Sequence, residues 1–368
     1  MCGMNPITHP LRVCLMTMGG DAPGLNAAVR AFVHAATRRG LLVCASRYGF
    51  EGLSGHDEVV PLYVSDVRGI LPRGGSILGC DTSHMNPLAL APEDARAREA
   101  AGLLRLRMTE FDIGALVLLG GDGTLRIASN VADAGIKCVV IPKTIDGDVG
   151  ATEQTCGIDT AVDTATRAVD ALHSTAEAHR RVMIVEVMGR YAGMIALRAG
   201  IAGGADVILI PEIPYEVDRV VAKIRERESL GLRFSIVVIG EGAREVGGKP
   251  SEVEPGHPGL LPRLGGAGAR LEQELGARHL DHDIRVTVLG HLQRGGSPTA
   301  ADRLLASRFG AHAAALCSER RFGRMVSLQA GHVVSVPISE ARGSKARVDP
   351  TGELVACARA IGVELGAP

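Results

Sequence analysis

The chain has 368 residues, 46% of them hydrophobic and 22% charged, with a formal net charge of −1. Such a length and apolar content suit about two globular domains and exclude a disordered chain. Near-neutrality excludes bulk attraction to nucleic acid or to an anionic lipid surface, so an anionic ligand must be met by local cations. The eight cysteines (2, 14, 44, 80, 138, 156, 317 and 357) form no C-x-x-C pair and read as buried, reduced thiols. No stretch approaches the ~18 uninterrupted apolar residues of a membrane span, and the N-terminus has no apolar signal region, which makes the cytoplasm the expected compartment.

Taken in chain order, strand-length runs of branched aliphatic residues recur at Arg12 to Met18, Ala115 to Leu119, Cys138 to Ile141, Val182 to Val187, Val207 to Ile210, Ile236 to Ile239 and Val286 to Leu289. Between them lie alanine-rich stretches of helical spacing: Ala27 to Thr37, Asp159 to His173 and Ala300 to Leu316. This alternation predicts an α/β chain with largely parallel sheets covered by helices on both faces. Ligands of such sheets bind beyond the carboxyl ends of the strands, where the glycine-rich turns of this chain fall. The stretch Gly242 to Gly268, rich in Gly, Pro and charge, predicts an exposed loop or insertion.

The first strand opens into Gly19-Gly20-Asp21-Ala22-Pro23-Gly24-Leu25-Asn26, followed at once by a helical pattern. Glycines there let backbone N–H groups approach an anion at the helix start, although a tight turn without ligand has the same composition. Gly120-Gly121-Asp122-Gly123-Thr124 follows the second strand. Asp122 in that turn suits a metal, with the glycine amides facing phosphate, or it simply forms the turn. The third turn, Pro142-Lys143-Thr144-Ile145-Asp146-Gly147-Asp148, offers carboxylates for a base and a metal ligand, and a hydroxyl for a transferring phosphate. These are the requirements of phosphoryl transfer: hard oxygen ligands for a divalent metal, a nearby cation, and a base near the attacking hydroxyl. The expectation is that Asp122, Asp146 and Asp148 gather round one cation, facing guanidinium groups. Arg181, Arg190 in Met188-Gly189-Arg190, Arg285, His291 and Arg294 supply cations, three of these five flanking predicted strand ends, and the arginine fork matches phosphate oxygens. Glu241 suits a sugar hydroxyl, or the capping of a turn.

In this order, GGDAPGLN, GGDGT, PKTIDGD, VEVMGRYAG, GEGA and VLGHLQRGGSP resemble the 6-phosphofructokinase family over Arg12 to about Ser339. The resemblance implies two Rossmann-like domains, a nucleotide-binding one over 1–157 plus 293–343 and a sugar-phosphate-binding one over 158–292 plus 344–368. It implies ATP at Gly20, Gly121, Asp122, Gly123 and Thr124, and Mg2+ at Asp122 and Asp148. Asp146 is similar to the family's general base for the C1 hydroxyl, with Thr144 and Arg190 beside it. Thr144, Asp146, Arg181, Met188, Gly189, Arg190, Glu241, Arg285, His291 and Arg294 correspond to its fructose 6-phosphate site, Arg181 and Arg285 reaching a neighbouring subunit of a dimer or, more usually, a homotetramer. The implied partners are therefore small molecules and further copies of the chain.

Donor choice is expected to turn on two positions. Pyrophosphate-using relatives carry an aspartate at Gly123, in the space of the ATP α-phosphate, so glycine favours ATP; Lys143 belongs to the pyrophosphate-using branch and to a mixed group that uses ATP. Several positions depart from the family's pattern. No arginine follows Gly79, where Cys80-Asp81-Thr82-Ser83-His84 stands, and losing such a cation costs on the order of 10²-fold in rate. Gly147 replaces an asparagine and is expected to loosen the acidic loop; Met18 and Met194 replace a serine and an aromatic residue. Arg30 is similar to one effector-site arginine of the family, but His34 and His173 stand where regulated bacterial members carry arginines, predicting weaker control by ADP or phosphoenolpyruvate. The alternatives left open are pyrophosphate as donor, another acceptor such as sedoheptulose 7-phosphate, and a non-catalytic sensor of sugar phosphate or nucleotide.

Overall fold

A computed structural model describes residues 10–54, 58–81, 86–255, 262–280 and 283–367. The chain folds as two compact units that exchange segments: one takes the chain up to Lys143, Ala151–Glu153 and Arg303–Ser344, the other Thr144–Gly150, Gln154–Asp302 and residues from Lys345 on. The first crossing thus comes after Lys143, inside the acidic motif; the chain returns briefly at Ala151–Glu153 and again after Asp302.

The first unit is built on a mixed sheet in the order His332–Pro337, Arg324–Gln329, Cys138–Thr144, Ala115–Gly120, Arg12–Thr17, Leu42–Ser46, Val59–Pro61. Its central strands are parallel, with Val13 opposite Ala115 and Leu116 opposite Cys138. Ala115–Gly120 and Cys138–Thr144 are buried at every position, which is why they read as unbroken apolar runs rather than alternating ones. Both edges are antiparallel, a feature absent from the expected parallel pattern. The hairpin Arg324–Gln329 to His332–Pro337 turns on Ala330 and Gly331, both at positive φ (46° and 75°). That geometry is usually marked by Asn-Gly or Asp-Gly, and alanine hides it.

The helix Leu25–Arg38 buries Leu25, Val29, Phe32, Val33 and Ala36 along one stripe. The helix Ala300–Ser318 lies so close to it that Gly310 has no room for a side chain: a Cβ there would strike the carbonyl of Ala28 and stand 2.9 Å from the amide of Phe32.

The second unit carries a parallel sheet ordered Ile284–Val288, Val182–Val187, Ser235–Gly240, Val207–Leu209. Helices Ile158–His179, Met194–Ala202, Val217–Ser229, Ala267–Gly276 and Glu353–Ala360 belong to it. Val182, Ile184, Val237, Ile239, Val220, Ile224, Leu271 and Leu275 meet in one core, closed by the fully buried Tyr215. Tyr215 keeps its hydroxyl satisfied by donating to Glu274 at 3.0 Å. Within Gly242 to Gly268 a short antiparallel pair, Glu252–Glu254 with Arg263–Leu264, projects with only Leu264 buried; residues 256–261 lie outside the described part.

Of the described cysteines, Cys14, Cys44, Cys138, Cys156 and Cys317 are buried thiols, while Cys357 is exposed. Among the described residues no helix is long and apolar enough to cross a membrane.

Because Gly310 packs backbone against backbone, Gly310→Ala is expected to destabilise the protein by about 1–3 kcal/mol, through overpacking that outweighs alanine's better helix propensity. A thermal melt checks this: an unchanged or raised Tm would mean that the helices separate freely.

Candidate active site

In the first unit the glycine turns are held from behind by side chains. Lys143, only 3% exposed, donates its ammonium hydrogens to the carbonyl of Met18 at 2.9 Å and to that of Gly20. Asn26, at the start of the helix Leu25–Arg38, donates to the carbonyls of Arg73 and Gly74, each at 3.1 Å, and accepts from the amide of Ile77 at 2.9 Å. One amide side chain therefore clamps the Gly74-Gly75 turn. Arg73 itself points to solvent; Thr82, Ser83 and His84 lie outside the described residues.

Asp122 opens the helix Asp122–Asp133 directly after Gly121, where a carboxylate is favoured by the helix dipole and the first amides face outward. Gly120 pairs with Pro142, so the Asp122 turn and the Lys143 side chain leave the carboxyl ends of adjacent parallel strands. Thr124 is buried, its hydroxyl folded over Gly120. Gly123 differs from its neighbours: a Cβ there would meet nothing within 4 Å, and its φ is not in the left-handed region. Neither packing nor backbone geometry requires glycine at this place.

In the second unit the acidic loop is braced by hydroxyls. Thr144 Oγ1 accepts from the amide of Asp146 at 3.1 Å, and Thr155 donates to the Thr144 carbonyl at 2.8 Å. Asp146 is buried and Asp148 is half-buried. Gly147, expected to loosen this loop, instead fits it tightly. Its φ is +69°, and a Cβ would stand 2.6 Å from Ile158 Cδ1 and 3.5 Å from Met194. Glycine here satisfies a left-handed turn pressed against a side chain, which explains the departure at Gly147 and names Met194 as part of the same contact.

Glu241 follows the strand Ser235–Gly240 and is 9% exposed. Its Oε1 accepts from the amides of Arg190 at 2.8 Å and Gly189 at 3.2 Å, so it caps the Met188–Arg190 turn with one oxygen. Arg190 takes φ 53° in that turn, and a Cβ on Gly189 would stand 2.5 Å from the Ala192 carbonyl. Burial pushes the Glu241 carboxyl up to about 7; the amides of Arg190 and Gly189 and the Arg190 charge pull it down, while the charge of Asp146 pushes it further up. Asp146 thus sits close enough within this unit to oppose the ionisation of Glu241.

Register decides which predicted cations share an end of the sheet. Val187 pairs with Gly240 and Glu186 with Val288, so Met188, Gly189, Arg190, Glu241, His291 and Arg294 all follow strands at the carboxyl end. His291 and Arg294 sit in the short turn Gly290–Arg294, His291 exposed and Arg294 half-buried. Arg181 and Arg285 are at the opposite end, where Arg181 Nε and Arg285 Nη1 bind the carboxylate of Asp283 at 2.7 and 2.5 Å. The strand Val182–Val187 puts roughly 17–20 Å between the two groups. Among the described residues no three His, Cys, Asp or Glu side chains are gathered to ligate one ion. Within the second unit, Asp146 lies near enough to Glu241 for its charge to act on that carboxyl.

Residues given no role by the sequence pattern also hold loops by hydrogen bonds to backbone, Asn26 in the first unit and Thr155 in the second. Glu212 receives the amide of Gly193, ahead of the helix Met194–Ala202, at 3.0 Å on each oxygen and that of Val348 at 2.9 Å.

Residues 12–317 match the family model described as Phosphofructokinase. An "ATP-dependent 6-phosphofructokinase" of Chloroflexus aggregans is 46% identical over 361 residues, covering 96% of this chain and 98% of that one. A "Pyrophosphate--fructose 6-phosphate 1-phosphotransferase" of Streptomyces coelicolor is 44% identical over 348 residues, with 92% and 97% covered. Among solved structures, phosphofructokinase from Saccharomyces cerevisiae superposes with a TM-score of 0.77 at 30% identity; the match covers 90% of this chain and 45% of the yeast chain.

Proposed function

The chain belongs to the phosphofructokinase family, and from that premise we propose that it transfers the γ-phosphoryl group of ATP to the C1 hydroxyl of fructose 6-phosphate, giving fructose 1,6-bisphosphate and ADP. Relatives named for this activity support the reaction, and Gly123 carries the choice of donor. A glycine in a helix costs about 1 kcal/mol relative to alanine. Nothing in the folded chain asks for one here, since a side chain would enter open space. That space at the helix start, beside outward amides, suits an α-phosphate. Pyrophosphate, named for the Streptomyces relative, is the second reading, and Lys143 is its sequence marker. Yet the Lys143 ammonium already serves the carbonyls of Met18 and Gly20, a holding role that is the same for either donor.

In the proposed mechanism, Asp146 takes the proton of the C1 hydroxyl as that oxygen attacks phosphorus. Thr144, whose hydroxyl already contacts the Asp146 amide, is placed to donate to the moving phosphoryl oxygens. Gly20, Gly121, Asp122, Gly123 and Thr124 form the ATP side, with Thr124 acting through its packing on Gly120 and its backbone amide. Met188, Gly189, Arg190, His291 and Arg294 bind the sugar phosphate. Glu241, one oxygen engaged by the turn, accepts a sugar hydroxyl with the other. Asp122 and Asp148 are hard oxygen donors that fit Mg2+, which keeps several waters and phosphate oxygens in its shell and does not need three carboxylates. When bound, that ion supplies charge neutralisation at the phosphates. Arg181 and Arg285, at the far end of their own sheet, serve the sugar-phosphate site of a second copy, so the active form is a homo-oligomer, a homotetramer in this reading, working in the cytoplasm.

Purified protein offered fructose 6-phosphate with either donor is expected to turn over with ATP and at least ~10-fold more slowly with pyrophosphate. Gly123→Asp should cut the ATP rate on the order of 10²-fold and spare the pyrophosphate rate. Equal rates with both donors in the wild type, or a Gly123→Asp variant as fast with ATP, would overturn the donor assignment; turnover with neither would leave a binding protein. A pH profile checks Glu241. The hydroxyl-accepting form is the carboxylate, so KM for the sugar phosphate should rise as pH falls through about 7. In Glu241→Gln that acid limb should disappear, leaving only the contribution of the substrate's own phosphate; a limb of undiminished size would assign it elsewhere.

A further inference from the structure

Asp302 is a carboxylate with no exposed surface, outside every motif of the site. Its Oδ1 accepts from the amide of Gly157 at 2.8 Å; its Oδ2 accepts from the amide and the hydroxyl of Thr160 at 2.8 and 2.6 Å. Gly157 precedes the helix Ile158–His179 in a left-handed conformation and offers no side chain to cap it. The cap therefore comes from Asp302, more than a hundred residues away in the chain. The tie is doubled from the other side: Thr160 Oγ1 accepts from the amide of Thr299 at 3.0 Å, and Thr299 Oγ1 donates to Asp159 at 2.5 Å.

Two site segments rest on this helix start. Ile158 is the side chain against which Gly147 presses, between Asp146 and Asp148. The same helix packs against the turn Gly290–Arg294, which carries His291 and Arg294 and leads into the segment that Asp302 anchors. A neutral amide at 302 would meet donors on both of its atoms and accept through only one, so the carboxylate is the group that fits. Burial raises the Asp302 carboxyl above its usual range, and the bonds from Thr160 and Gly157 oppose that rise. A carboxyl group kept fully buried, with both oxygens engaged by donors from another segment, signals a geometric demand at this place.

We infer that Asp302 is a positioning residue for phosphoryl transfer: by locking the first turn of Ile158–His179 to the Thr299–Asp302 segment, it sets the spacing between the acidic loop and the His291–Arg294 turn. This inference rests on the reaction proposed above. It predicts a split that a merely structural cap does not produce. In Asp302→Asn, kcat should fall about 10-fold or more and KM for fructose 6-phosphate should rise several-fold, while KM for ATP stays within about two-fold. Thr160→Ser, which keeps the hydroxyl, should behave as the wild type. A folded Asp302→Asn with unchanged kcat and sugar KM, or one in which both KM values rise equally, would overturn it. Should Asp302→Asn not fold, Thr160→Val carries the test: the same split at smaller amplitude is expected, and wild-type constants would refute the inference. The wild type is assayed beside them, since absence of turnover there overturns the proposed reaction and this inference with it, whereas an active wild type with an indifferent variant overturns this inference alone.

Discussion

Two buried carboxyl groups that oppose each other's charge, Asp146 and Glu241, set the terms for the rest of this site. Burying an ionised carboxylate is costly, and burying two near each other more so, unless donors are fixed around them. The chain meets that cost with backbone. Gly189 and Arg190 turn their amides onto Glu241, which demands a left-handed φ at Arg190 and leaves no room for a Cβ at Gly189. On the other loop, the amide of Asp146 itself is tied to Thr144, and Thr144 to Thr155. Burial pushes the Glu241 carboxyl up to about 7, and the charge of Asp146 adds to that rise.

The parallel sheets explain why these groups meet. Every strand of the second sheet runs the same way, so the turns after Val187, Gly240 and Val288 open at one end, and whatever precedes Val182 or Ile284 lies at the other. Arg181 and Arg285 lie at that other end and are held there by one shared carboxylate, Asp283. Arg285 is half-exposed at its side chain and Arg181 partly so, and both stay paired with that carboxylate.

Much of this was legible in the residues because it is local. Unbroken aliphatic runs ending in glycine report strands buried on both faces, and Gly-Gly-Asp-Gly-Thr or Pro-Lys-Thr-Ile-Asp-Gly-Asp reports a turn at the carboxyl end of such a strand. What escaped was whatever is decided by distant partners. Asp302 and Glu212 look like any surface acid until the fold brings amides from other segments to them. Gly147 looked permissive, and only the approach of Ile158 shows it to be constrained. The antiparallel sheet edges escaped for a similar reason: Ala330-Gly331 carries no turn signal of its own and adopts its geometry because the flanking strands pair. Arg181 precedes its strand and Arg285 is the second residue of its own, and which end of the sheet they share is a property of register, not of the residues.

The carboxylate pair is open to direct observation. Carbon-detected NMR titration of the Glu241 side-chain carboxyl, in the wild type and in Asp146→Asn, reads the interaction without substrates. The account predicts a midpoint near 7 that moves down when the charge at 146 is removed, while burial keeps it above the ordinary glutamate value of about 4.3. An ordinary midpoint in the wild type, or one indifferent to Asp146→Asn, would contradict it.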